Sequence, residues 1–215
     1  SRMWIELDIY YEALKPNEET GIFYEEALEE IKAFEERLRA FKGYEDFCLK
    51  RYRHKGYKCD LPTSPINIFY GTVDLVGGNT ILSQTNGTGS LRSIKTALKN
   101  FADKKVYWFT DKYFSSLNLT SQVTKSRFGF GLPLKGFEKG PHVSRKQLDL
   151  YKKFMGRLYD DFFMKENAKL KHIQVTWYEP KNLIGYEVDA QLIHDAYFSL
   201  GSFIFVAIFV LLHLE

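Results

Sequence analysis

The last stretch of the chain, HDAYFSLGSFIFVAIFVLLHLE from His194 to Glu215, limits the fold more than any other segment. Between Ala196 and Leu214 there is no Lys, Arg, Asp or Glu, in a chain whose residues are 27% charged. A helix packed in a soluble core keeps a polar stripe, but Phe203 through Leu212 are apolar on every face. The run approaches the ~20 residues that cross a bilayer, so it predicts a transmembrane helix. Ser199, Gly201 and Ser202 are small enough for GPI attachment, yet they lie inside the apolar run rather than ahead of a polar spacer, which argues against that alternative. The opening SRMW has no signal-peptide pattern, and no basic flank follows the apolar run. Both features predict a piece of a longer protein.

A membrane segment raises the question of which side the remainder occupies. Two N-x-[ST] sequons, Asn86-Gly87-Thr88 and Asn118-Leu119-Thr120, have turn-forming or polar neighbours that suit exposed loops. The only cysteines, Cys48 and Cys59, are spaced around Gly56 so that a loop can fold back and close a disulfide. A zinc site would need more ligands than His54 supplies, and no His/Asp constellation activates either thiol. Sequons, paired cysteines and an adjoining span together predict an oxidising, glycosylating compartment, with the polar part extracellular or lumenal. Something upstream must then carry it across the membrane.

Charge and motif content exclude several functions. Thirty Lys+Arg against 27 Asp+Glu leave a net charge of +3, too little to suggest nucleic acid. The basic cluster CLKRYRHKGYKC lacks any RNA- or DNA-binding pattern and reads as a solvated loop. His54, His142, His172, His194 and His213 are scattered, so no catalytic or metal-ligating grouping emerges around them. EEALEEIKAFEER has no Glu/His ligand spacing and reads as a solvated helix face, and no phosphate-binding loop is present. The expectation is a protein that is not an enzyme and carries no cofactor.

The polar part reads as mixed α+β. MWIELDIYY alternates, with Met3, Ile5, Leu7 and Ile9 on one face, as in a strand. From about Gly21 to Lys42, Phe23, Ala27, Ile31, Phe34, Leu38 and Phe41 recur at spacings of three and four, with acids early, bases late and Gly43 placed to stop the helix. A short strand is expected around Ile66–Gly71, a flexible connector at GGNTILSQTNGTGS, a helix along Leu91, Ile94, Leu98 and Phe101, and a strand at VYWFT. KYFSSLNLTSQVTKSRFGFGLPLKGF has no clean period and reads as bends between short extended pieces. Ser144-Arg145-Lys146-Gln147 forms a capping box for a helix through Leu148, Tyr151, Met155, Leu158 and Phe162, and HIQVTWYE is a closing strand. This order predicts ferredoxin-like split β-α-β subdomains over residues 1–190, followed by a transmembrane helix over residues 191–215.

Several of these segments resemble one family. LDIYYEALKPNEETGIFYEEALEEI, EDFCLK with the later cysteine and INIFYG, DKYFSSLN with SRFGFGLPLKGF, and the strand feeding HDAYFSLGSFIFVAIFVLL are together similar to the first extracytoplasmic domain and second transmembrane helix of Dispatched-like proteins. Those belong with Patched in the eukaryotic branch of the RND transporter superfamily. The resemblance implies a multi-pass protein with two ferredoxin-like extracytoplasmic domains, the second being a partner of this one within the same polypeptide. It also implies that the apolar tail opens a sterol-sensing domain. The cargo would be a lipid, a sterol or a lipid-modified protein, moved by a cation gradient whose coupling carboxylates lie in later helices. His194 and Asp195 match by position alone and read as anchors at the membrane edge. The alternative is a receptor or adhesion ectodomain on a single anchor, binding a protein partner.

Overall fold

The computed structural model describes residues 3–53, 56–76, 79–83, 89–103, 108–132, 134, 137, 145–179 and 183–213. They divide into two compact units, Ser1–Tyr178 and Glu179–Glu215. The chain is mixed α+β, with a three-stranded antiparallel sheet and one long apolar helix.

The sheet is built on β1, Met3–Ala13. Its alternation resolves as expected: Ile5, Leu7, Ile9 and Tyr11 are buried on one face, while Glu6 and Tyr10 remain on the solvent side. On one edge β1 pairs antiparallel with β6 (Val123–Leu132), placing Ile5 opposite Phe130 and Leu7 opposite Phe128. On the other it pairs antiparallel with β7 (Ile173–Tyr178), placing Tyr11 opposite Val175. The two outer strands therefore run parallel to each other across the central one. The helix α5, Arg145–Arg157, lies between them in sequence.

Helices cover the buried face. In α1 (Glu25–Ala40), Ala27, Leu28, Ile31, Phe34 and Leu38 point into the core, with Glu25 and Glu26 in the first turn and Arg37 and Arg39 in the last, matching the helix dipole. The helix begins later than the apolar spacing suggests because Gly21 sits in a turn, at φ +66°, closed by mutual backbone bonds with Asn17. A Cβ there would lie 1.9 Å from the Ser121 carbonyl oxygen, so the close approach of the two loops requires glycine. Gly43, at φ +96°, follows the end of α1 and precedes the single turn α2, Tyr44–Phe47.

The second helical layer departs from a uniform period. After α5 the chain forms a π-helical turn, Leu158–Phe163, and then α6, Met164–Asn167. A π turn admits one extra residue, and within this one the adjacent Phe162 and Phe163 are both buried. Phe162 packs 5.1 Å from Phe34, and Phe163 stacks on Trp177 at 4.6 Å. Phe47 and Phe154 stack at 4.3 Å, tying α2 to α5. Aromatic pairs of this kind add about 0.5–1.5 kcal/mol beyond their buried area, which accounts for much of the chain's aromatic content.

Several expected elements take other forms. Ile66–Phe69 is a helical turn, α3, rather than a strand, because Pro65 fixes its first φ at −59° and Ser64 Oγ accepts the Ile66 N–H at 3.1 Å. The expected Gly-rich connector contains a strand, β5 (Asn79–Ser83), paired with β4 (Thr72–Val76). The helix around Leu98 is α4, Ile94–Asp103. Of the expected VYWFT strand, Val106 and Tyr107 lie outside the described residues, Trp108 and Phe109 form a turn, and Thr110 makes a single bridge to Thr124. The stretch without a clean period holds all ten residues of β6. Ser144 of the expected capping box lies outside the described residues, and Gln147 Oε1 accepts the Leu134 N–H at 2.9 Å.

The second unit contains α7, Leu183–His213, 31 residues long. Its segment Gln191–Leu211, of mean hydropathy 1.7, is long and apolar enough to cross a membrane. Phe198, Phe203, Phe205, Phe209 and Leu211 are all exposed along it.

Candidate functional site

The cysteines meet where the sheet edge is reinforced. Cys48 and Cys59 are bonded, with Cα atoms 5.4 Å apart. Between them the basic cluster forms a hairpin, β2 (Lys50–Arg53) and β3 (Gly56–Cys59), where a plain solvated loop is expected. Its foot is sewn to β6: Cys48 bridges Phe130, and the Leu49 N–H donates to the Gly129 carbonyl at 2.8 Å. Further on, Thr63 and Arg127 exchange two backbone bonds of 2.9 Å. The disulfide therefore closes a loop that starts on the outer edge of β6, at Cys48 and Leu49, and the chain returns to that edge at Thr63, after the loop.

Beneath that edge lies a polar node that the sequence pattern concealed. Glu35 is only 3% exposed, and one of its oxygens, Oε1, accepts three hydroxyl bonds: from Tyr11 of β1 at 3.1 Å, from Ser64 at 2.8 Å, and from Ser126 of β6. Burial pushes the Glu35 carboxyl above its ordinary range, even though the three hydroxyls and the Arg39 charge favour its ionised form. Burial likewise raises the Tyr11 phenol well above its usual value. EEALEEIKAFEER reads as a solvated face, yet Glu35 lies one turn beyond Ile31 and one turn before Leu38, on the inward row of α1. That spacing was the available signal. What it could not reveal was the set of hydroxyls waiting on β1, β6 and the loop before α3.

A second carboxylate fastens α1 to β7. Glu30 accepts the N–H groups of Lys171, His172 and Ile173 at 2.9, 2.8 and 3.1 Å, and Asn167 Oδ1 accepts the Val175 N–H at 2.9 Å. Side chains thus occupy the donors of Ile173 and Val175 that an added strand would need, which blunts this sheet edge. On the open face of the sheet, Arg127 holds Asp8 through two bonds of 2.7 and 2.9 Å and Glu6 at 2.9 Å. Lys125 lies 5.7 Å from the Tyr10 ring and 5.6 Å from the Trp108 ring.

Of the two sequons, Asn86 lies outside the described residues. Asn118 is exposed in a turn where its Nδ2 donates to the Tyr113 carbonyl at 3.1 Å and its Oδ1 accepts the Thr120 N–H at 3.2 Å. His54 and His142 also lie outside the described residues. His172 sits beside the Tyr24 ring, and His213 bonds the Phe209 carbonyl on α7. Among the described residues no three His, Cys, Asp or Glu side chains come together as metal ligands. No protein-family model matches the chain, and no curated protein matches it significantly. The described residues present a clamped sheet, a buried carboxyl node and an apolar helix.

Proposed function

We propose that this chain is an extracytoplasmic domain and adjoining transmembrane helix of a multi-pass transporter of the Dispatched-like type. In this reading it moves lipids, sterols or lipid-modified proteins under a cation gradient and performs no enzymatic reaction. One observation carries it: two strands flank β1 antiparallel with a helix between them in sequence, an order that fits a split β-α-β unit, and an apolar helix of membrane-spanning length follows in the same chain. The disulfide supports an oxidising compartment for the sheet unit. In the full-length protein the domain lines part of the cargo route, and the coupling carboxylates lie in other helices. The test is release of a fluorescent sterol or a lipidated peptide from vesicles containing the full-length protein. Release should fall when the cation gradient is collapsed; release indifferent to every gradient overturns the transporter reading.

A second reading is an ectodomain on one anchor that binds a protein partner, with which the same apolar helix is equally compatible. Mapping the spans of the full-length protein separates the two, since a transporter requires several and an intramembrane acid in one of them.

A further inference from the structure

The loop from Asp111 to Thr120 is held more tightly than an exposed loop requires. Asp111 closes it at both ends, its Oδ1 accepting the Tyr113 N–H at 2.9 Å and its Oδ2 the Gln122 N–H at 2.8 Å. Ser115 and Asn118 exchange backbone bonds of 2.8 and 3.2 Å, which makes a tight turn with Leu117 at its tip, 98% exposed. Thr120 Oγ1 donates to the Glu19 carbonyl at 3.0 Å and ties the loop to the segment before α1.

Within this frame Asn118 and Tyr113 are fastened to each other. Asn118 Nδ2, the atom to which an N-linked glycan is joined, donates to the Tyr113 carbonyl at 3.1 Å, and Asn118 Oδ1 accepts the Thr120 N–H at 3.2 Å. The Tyr113 backbone is therefore held at both its N–H and its carbonyl, yet the residue is 68% exposed. Lys112 Nζ, on an exposed side chain, lies 4.9 Å from the centroid of its ring.

We propose that the first N-acetylglucosamine of an N-linked glycan on Asn118 packs its apolar face on the Tyr113 ring, an inference that rests on the extracytoplasmic reading of this unit. The two surfaces match in chemistry. The substituents of this sugar are equatorial, so each face of its ring presents axial C–H groups, and polarised C–H groups are attracted to the negative face of an aromatic ring. Attachment forms a bond between Nδ2 and the sugar C1, breaks the C1–O bond to the pyrophosphate of an activated sugar donor, and releases one amide proton. The other N–H stays on Nδ2, enough to keep the bond to the Tyr113 carbonyl. Because the loop's own bonds already hold the Tyr113 backbone beside that nitrogen, little chain freedom is lost when ring and sugar meet.

The test uses the full chain from a eukaryotic secretory host, purified in detergent micelles, with peptide mass spectrometry reading the occupancy of both sequons. Unfolding temperatures are compared for Asn86→Gln and for Asn86→Gln, Tyr113→Ser, each before and after enzymatic removal of the glycan. Removal turns the Asn118 amide into a carboxylate in both chains, so that change cancels. Removal should lower the midpoint of the chain with Tyr113 by about 2–4 °C more than that of the serine variant. A Tyr113→Phe chain should behave as the chain with tyrosine, and trimming to a single N-acetylglucosamine should leave the difference intact. Equal losses with and without the ring, or a difference already lost on trimming to the first sugar, overturn the proposal. So does a glycan at Asn86 with Asn118 bare, which leaves the extracytoplasmic reading standing; both sites bare removes the two together.

Discussion

Replacing Glu35 by alanine removes the common acceptor of three buried hydroxyls, on Tyr11, Ser64 and Ser126. Each donor left buried without a partner costs about 1–3 kcal/mol, partly offset because an ionisable carboxyl no longer has to be desolvated. Rearrangement of the serine hydroxyls recovers a further part, so the expected loss is roughly 2–4 kcal/mol. Glu35→Gln keeps an acceptor for two of the hydroxyls and should cost about half as much. The pH dependence is the sharper test. Burial raises the Glu35 pKa in the folded state, so the folded chain holds this proton more tightly than the unfolded chain. The group's contribution is therefore fully present below the unfolded value of about 4.3 and is lost as pH rises through the folded pKa. Urea unfolding of the full chain in micelles, followed by tryptophan fluorescence between pH 4 and 8, should show wild-type stability declining over that window relative to Glu35→Gln. An alanine variant within about 0.5 kcal/mol of the wild type, or a glutamine variant with the wild-type pH slope, refutes the node as described.

Reducing Cys48–Cys59, or replacing both by serine, should lower stability by about 3 kcal/mol and loosen the β6 edge; unchanged hydrogen exchange at Gly129 to Leu132 contradicts that coupling. Gly21→Ala places a Cβ 1.9 Å from the Ser121 carbonyl oxygen at a positive φ, so it should cost more than about 2 kcal/mol; an unfolding midpoint equal to the wild type counts against this turn. Expressed in a eukaryotic secretory host, the chain should shift in gel mobility on glycosidase treatment, and Asn118→Gln should remove part of that shift. A chain insensitive to glycosidase, with the sheet unit protected from protease added outside intact cells, contradicts the extracytoplasmic topology.

Local periodicity carried the elements whose burial is one-sided. β1 alternates, α1 repeats its apolar residues every three or four positions, β7 buries Ile173 and Val175, and α7 is apolar all round from Phe203 to Leu212, so each is legible from neighbours along the chain. β6 was not legible. Two of its inward positions are the hydroxyls Thr124 and Ser126, and its outward side includes Gly129 and Gly131, so the apolar alternation fades over half its length. Ser126 faces inward because Glu35, 91 positions earlier, awaits its hydroxyl. The Ile66–Phe69 turn is ambiguous in sequence for a related reason: an apolar run of that length suits a strand or a helix, and Pro65 with the Ser64 cap decides it.

The candidate site divides in the same way. The two cysteines, the basic residues and the sequons could be located by inspection, because each is a property of a few consecutive positions. That the basic segment pairs into a ribbon, that the ribbon is rooted on β6, and that Glu35 is a core residue all depend on strand register and on partners far away in sequence. A carboxyl on a helix is solvated or buried according to what the facing strand offers it. Three hydroxyls from separate segments can converge on one oxygen only when the sheet, the helix and the loop before α3 are assembled together.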